Sequence, residues 1–468
     1  MASIGSEHAP RPRPLAWPFW RHFTGALTSL RLLFGDGSDS SVARRLAGAA
    51  FLIRVVSAVI AFASQVVLAR WLGGFEFGVY VYVWTWVLLL GGMVDLGLGS
   101  ASQRFIPEYI EQKRFALLRG YLRGSRRLVL LISTTIAAVC ALAVKIAAPH
   151  ITPSMVVPLY LACASLPICG IAQVQSGIAR SYDWVNLGLS PAYVLRQLLM
   201  LALLGLALAF GVGMNAVTAT LTAALAWWGV TIGQSVVLNR RLVKVVDPGP
   251  KAYAVRAWLS TSAPIFVVEA FYLLLTYADV LVLQLFRPPN EVGIYYASAK
   301  TMALVAFIYF SVAQTLAHKF AEYHVAGNRA RLANIVAVGV RMTFWPSLGS
   351  VLVLLAVGRP MLHMFGHEFV AGYYLMFILA IGLLARASVG PVERLLNMLG
   401  ERRSCALVYG GSFLLDVALC CLLIPFLGIA GAAIANAVTL VCESVSLFLI
   451  AKYRLGLHCF IFGGRQGR

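Results

Sequence analysis

Charge is what this sequence has least of. Asp, Glu, Lys and Arg make up 12% of its 468 residues, and 18 of them are acidic. A soluble domain carries about a quarter of its residues as charge, because its surface must be hydrated. A chain this poor in charge cannot coat such a surface. It also lacks a Gly-x-x-x-x-Gly-Lys-Ser/Thr loop and any polar stretch long enough for a nucleotide domain, which argues against ATP-driven transport within this chain. There is no Gly-x-Ser-x-Gly elbow. No Cys-x-x-Cys occurs either: Cys140, Cys163, Cys169, Cys405, Cys420, Cys421, Cys442 and Cys459 lie almost entirely in apolar stretches. They read as small core residues, with neither a disulfide frame nor a metal site. The polar, Pro/Arg-rich start precedes the first long apolar run near residue 46, so no cleavable signal peptide is expected.

What the sequence does have is apolar length, at 60% hydrophobic residues. Runs of about twenty such residues each span a hydrocarbon core of about 30 Å as a helix. They are apolar all round, without the strict alternation a β-barrel requires. Spans are expected at 46–71, 78–100, 127–148, 154–180, 187–210, 214–238, 258–286, 292–317, 334–357, 370–395, 404–427 and 429–452. The net charge of +20 is a matter of topology here, not of nucleic acid. With the N-terminus placed in the cytoplasm, the tails and cytoplasmic loops hold about 29 Lys and Arg, and the opposite side holds Arg70, Lys145, Arg287 and Arg359. Both termini are thus expected inside. The outer loops are too short for an external domain.

The chain repeats itself. Gly74-Phe-Glu76-Phe-Gly78-Val-Tyr80 recurs as Pro289-Asn-Glu291-Val-Gly293-Ile-Tyr295 at an offset of 215, and Gly211–Val217 recurs as Gly428–Ile434 at 217. Six spans per half keep both halves in one orientation, with substrate expected at their interface. The fold class expected is therefore an all-α polytopic membrane protein of about twelve transmembrane helices in two pseudo-symmetric six-helix bundles. Its parts are a tail at 1–42, bundles at 43–241 and 257–455, a linker at 242–256 and a tail at 456–468. The aromatic stretch Trp17–Phe34 reads either as a short interfacial helix or as disordered chain.

Charges inside the membrane are costly and mark function. The basic set is Arg54, Arg196, Lys300, Arg341 and Arg386; the acidic set is Asp95, Glu269, Asp279, Asp416 and Glu443. Glu269, Asp416 and Glu443 fall nearest the middle of their spans. Arg341 and Arg386 lie within snorkelling reach of the inner face. Ten such charges on so many spans argue for a polar lumen between the halves. The 215-residue offset carries Arg54 onto Glu269, which places the two at equivalent positions lining that lumen. His363, His367 and Glu368 have a spacing that can hold a metal, but no third ligand lies near, and a plain outer connector is the stronger reading. Glu108–Arg127 interleaves charge with Tyr and Leu, as an amphipathic helix on the inner leaflet would.

Several segments together resemble the polysaccharide transporters of the MOP superfamily, the Wzx-type O-antigen and exopolysaccharide flippases. They are Asp95-Leu-Gly97-Leu-Gly99, Gln103-Arg104-Phe-Ile-Pro107-Glu108-Tyr109, Asp279 with Glu291-Val-Gly293-Ile-Tyr295, Phe365-Gly366-His367-Glu368-Phe369, Gly390-Pro391 with Leu396-Asn397-Met398-Leu399-Gly400, and Ile424-Pro425 with Gly428–Ile434. The family often has Pro where His367 stands. The resemblance implies a MATE/MOP-like two-bundle fold in a bacterial inner membrane. It implies alternating access, no cofactor, no enzyme activity, and an undecaprenyl-pyrophosphate-linked oligosaccharide moved from the cytoplasmic to the periplasmic leaflet. The partners implied are this lipid-linked oligosaccharide, membrane lipid and other polysaccharide-assembly membrane proteins, without nucleic acid or ATP. Chemistry agrees: Arg offers a forked donor suited to phosphate, and embedded carboxylates suit proton or cation coupling. The competing readings are a multidrug or cation antiporter of the same fold, a membrane glycosyltransferase or polymerase, and a structural partner of an envelope complex.

Overall fold

In hydrocarbon every backbone N–H and C=O must be satisfied within the chain, so apolar runs of this length fold as helices. The computed structural model describes residues 39–462, with side chains from 56 onward except at 314, 318, 321, 325 and 402. The stretch Trp17–Phe34 and the side chain of Arg54 lie outside the described residues. The chain divides into two compact units, Met1–Phe51 and Leu52–Arg468. The contacts below all lie within the second.

The described residues are helical and contain no strand. The first half comprises α1 (Asp39–Met93), α2 (Leu98–Glu111), α3 (Phe115–Ala147), α4 (Pro153–Ser181), α5 (Val185–Ser190), α6 (Arg196–Ala209) and α7 (Ala216–Val245). The second comprises α8 (Val255–Phe286), α9 (Pro289–Met302), α10 (Ala306–Val325), α11 (Arg329–Ala356), α12 (Gly358–Phe365), α13 (Tyr373–Val389), α14 (Val392–Met398), α15 (Arg402–Leu427) and α16 (Ile429–Leu455). Among the described residues, eleven helical segments are long and apolar enough to cross a membrane. The first of them, Val56–Glu111, runs 56 residues. Gly73 breaks it with φ 73 and ψ 170, a conformation essentially reserved for glycine. That segment therefore supplies two crossings, and the total matches the twelve expected.

Two expectations need correction. The span expected at 370–395 ends at Val389, where Gly390 takes φ 63 and Pro391 follows without an N–H; α14 then starts afresh. The segment Glu108–Arg127 is not one interfacial helix. Lys113 sits at φ 56, so α2 stops and α3 begins at Phe115 as the first turns of a span. Tyr109, Leu118 and Tyr121 are buried around Trp258, whose Nε1 donates to the Tyr109 hydroxyl at 3.0 Å. Part of the apolar side of that segment is therefore spent on protein packing, while Ile110 and Phe115 remain exposed.

The cores show how the halves join. On the face poor in Lys and Arg, one cluster draws on both halves, running from Leu68 to Ala226 and from Val280 to Ala435. On the basic face the clusters are separate. One holds residues of the first half with Trp258, and the other holds Leu316 to Cys459.

Glycine explains the shared side. A Cβ added to Gly78 would fall 1.7 Å from the Pro289 carbonyl oxygen, and one on Gly293 would fall 3.1 Å from that of Gly74. The two copies of the repeated motif thus meet each other, backbone to backbone. Phe77 packs edge-on against Tyr296 and Phe369, with centroids 6.2 and 5.6 Å away. Gly74 N–H donates to Glu368 at 2.6 Å, and Arg70 donates to the carbonyls of Met364 and His363 at 2.7 and 3.3 Å. Glu368 is engaged in this seam, and among the described residues no group of three potential metal ligands occurs.

Candidate translocation site

The first functional motif is a built interruption. Asp95 lies between α1 and α2, and its carboxylate accepts from the N–H groups of Gly97 (3.2 Å) and Gly99 (3.0 Å). A carboxylate at a helix start satisfies orphan donors and complements the helix dipole. Gly97, at φ 72, supplies the left-handed turn. One residue past Gly99, Ser100 Oγ donates to Glu269 at 2.7 Å, which ties α2 to α8 across the halves. Asp95 is buried and Glu269 half-buried. Whether Arg54 faces Glu269 lies outside the described side chains.

The second group is cationic and aromatic. A π-helical turn at Pro191–Leu195 delivers Arg196, whose guanidinium lies 4.2 Å over the Trp227 ring. Trp227 packs on Trp84, which stacks on Tyr80. From the other half, Lys300 Nζ lies 4.9 Å over Tyr296. Tyr277 is within electrostatic reach of both Lys300 and Arg196, and Tyr80 of both Arg196 and Tyr296. Two cations, one from each half, thus lie within reach of one shared tyrosine, Tyr277. Neither cation is in an ion pair among the described residues.

The third group gathers carboxylates in the second half. Asp279 accepts from the Tyr295 hydroxyl, from Val280 N–H at 2.8 Å and from Asn436 Nδ2 at 3.4 Å. Asp416 is 1% exposed, and neither of its oxygens has a hydrogen-bond partner; the nearby Thr439 hydroxyl is also unpartnered. Asp416 lies within electrostatic reach of Asp279, which is also within reach of Lys300. Two buried carboxylates near each other, one of them without donors, can hold a proton or a cation between them.

The fourth group lies nearer the basic face. Arg386 Nη2 is 3.8 Å from Glu443, which is 1% exposed, and neither Glu443 oxygen has a hydrogen-bond partner. The Arg386 guanidinium is 5.1 Å from the Tyr309 ring, and Tyr309 OH donates to Glu393 at 3.3 Å. Arg341 stands apart, exposed on α11.

The nine embedded charges whose side chains are described thus do not fall into one ring. Arg196 and Lys300 come together, as do Asp279 with Asp416, Arg386 with Glu443, and Asp95 with the Ser100–Glu269 contact. The aromatic residues, Asn436 and Thr439 escaped a search restricted to charge. A signal was present for one of them, since Tyr80 and Tyr295 are equivalent in the repeat.

Comparison with known proteins is consistent with this architecture. No curated protein sequence matches the chain. Among solved structures, a multidrug resistance MATE family transporter of the MOP superfamily, inward-facing, superposes with TM-score 0.73 at 14% identity, covering 87% of this chain and 98% of that one. The lipid II flippase MurJ, inward closed, gives 0.66 at 12% identity and covers 86% and 87%. A MOP superfamily transporter from Pyrococcus furiosus, described as having a binding pocket of reverse polarity, gives 0.62 at 15% identity and covers 87% and 95%. At such identities the likeness establishes the fold. The family described as polysaccharide biosynthesis protein matches residues 45–323, more than half the chain, and this protein belongs to that family.

Proposed function

We propose that the protein is a flippase for an undecaprenyl-pyrophosphate-linked oligosaccharide, which it moves from the cytoplasmic to the periplasmic leaflet by alternating access coupled to an ion. The observation that carries this reading is a cation from each half in an aromatic setting: Arg196 over Trp227 and near Tyr80, Lys300 over Tyr296, with Tyr277 within reach of both. A diphosphate cannot cross lipid unaided. Cations from both halves can hold it while the halves rock, because neither half needs to release it first. Tyrosine faces and hydroxyls are compatible with both phosphate and sugar. Arg386 is a further phosphate ligand that Glu443 holds when substrate is absent. In this reading the basic face is cytoplasmic and the seam around Gly78 closes the periplasmic side.

The same reading gives Asp279 and Asp416 the coupling role, because both are buried and Asp416 is left without hydrogen-bond partners. That pair also favours the second reading, a cation or multidrug antiporter, in which the carboxylates would receive the transported cation.

Deleting the gene and analysing membrane lipids separates the two. The flippase reading expects a polyprenyl-diphosphate oligosaccharide to accumulate on the cytoplasmic leaflet. Wild-type protein should clear it, whereas Arg196→Ala and Lys300→Ala, expressed equally, should not. An unchanged lipid pool with altered efflux of organic cations would sink the flippase reading and support the antiporter.

A further inference from the structure

Helices α3 and α7 are free of carboxylates, with no Asp or Glu from Gln112 to Tyr182 or from Trp184 to Val246. Their ends on the basic face carry Arg123, Arg126 and Arg127 on α3, and Arg240, Arg241 and Lys244 on α7. None of these six is in an ion pair among the described residues. The two helix ends are adjacent, because Arg126 Nη1 donates to Asn239 Oδ1 at 2.6 Å.

Arg126 is the informative member. Its Nε and Nη2 are shielded from solvent and have no hydrogen-bond partner. Leaving the donors of a charged group unmet costs free energy, and without a counter-charge the cost is larger. Repulsion among six like charges adds to it. An anion supplied from outside the chain would relieve both.

The surroundings say which anion. One to two turns deeper, Leu130 on α3 and Val236 and Ile232 on α7 are exposed, about 6–12 Å from Arg126 and Arg240 at 1.5 Å per residue. Cations above and an apolar strip below match one amphipathic anion end to end. Soluble phosphate or nucleic acid would use the charges and leave the strip uncovered.

We propose that the cleft between α3 and α7 binds an anionic diacyl phospholipid of the surrounding leaflet, with its phosphate on Arg126 and its chains along Leu130 and Val236. The site is separate from the Arg196–Lys300 centre and does not depend on what that centre transports. Bound there, the lipid would anchor α3 to α7 at the outside of the first half.

The test is native mass spectrometry of the full chain released from nanodiscs containing equal phosphatidylglycerol and phosphatidylethanolamine. Wild-type protein should retain phosphatidylglycerol in preference to phosphatidylethanolamine. Arg126→Gln should lower that retention about tenfold, the loss expected for charge-assisted hydrogen bonds. Arg126→Lys, which keeps charge but loses the fork, should fall between. Arg104→Gln, on the same face but on α2, should retain lipid as wild type does. If Arg126→Gln fails to fold in detergent, Arg123→Gln and Asn239→Ala report on the same cleft. Equal retention of the two lipids, retention unchanged in the cleft variants, an equal loss in Arg104→Gln, or a prenyl diphosphate occupying the cleft instead would each overturn the proposal.

Discussion

At the scale of single residues, Asp416 and Asp279 show how placement separates two similar groups. Asp279 has three donors and Asp416 has none. An unpartnered buried carboxylate destabilises the protein, so neutralising it without changing its shape should not harm the fold. Asp416→Asn is expected to melt at or above the wild-type temperature in detergent, while transport loses its dependence on the ion gradient. A large fall in melting temperature would mean that Asp416 has a structural partner. Tyr295→Phe should instead destabilise by about 1–3 kcal/mol, because it strips a donor from a buried charge. Glu401 offers a pH test outside the spans. Hydrogen bonds from Ser404 (2.7 Å) and then Arg454 (2.8 Å) hold its carboxyl below the usual range. A depressed folded-state pKa gives stability that is present above the unfolded value and lost as pH falls through the folded one. The melting temperature of wild type should therefore exceed that of Glu401→Gln at neutral pH, and the gap should close only in acid. A gap that persists in acid would assign the effect to packing.

At the scale of elements, the turn between the first two spans contains two glycines with different reasons for being there. Gly73 has nothing within 4 Å of where a Cβ would stand, so its constraint is the backbone conformation alone. Gly73→Ala should cost about 1–3 kcal/mol of stability and leave the seam closed. Gly78 is the opposite case, with ordinary helical geometry and the Pro289 carbonyl against it. Gly78→Ala should force α1 away from α9. Spin labels on the two helices should report a longer distance, with a loss of about 1–3 kcal/mol from overpacking. Identical distances in wild type and Gly78→Ala would show that the two repeat motifs do not need this approach.

At the scale of the whole molecule, the arrangement of the cores bears on access. One core shared across the halves on the sparse face, and two separate cores on the basic face, describe a two-bundle fold closed on the former side. If the basic face is cytoplasmic, cysteines placed at 102–126 and 239–257 should react with an impermeant maleimide only from the cytoplasm. Labelling of either loop from the periplasm in intact cells would invert the topology.

Hydropathy and charge along the chain were enough to set the helices and their number. An apolar run in a membrane has one way to satisfy its backbone, whatever its neighbours are. The repeat was legible for a similar reason, since Gly74–Tyr80 and Pro289–Tyr295 are local strings. What those strings do was not legible. That Gly78 meets Pro289, 211 positions later, depends on side-chain packing between two whole bundles. The embedded charges show the same division. Their presence in apolar spans marked them individually. Their sorting into a cation pair around Tyr277, a carboxylate pair on α8 and α15, and a long Arg386–Glu443 contact depends on which helix faces line the gaps between neighbours, and only the tertiary structure decided that.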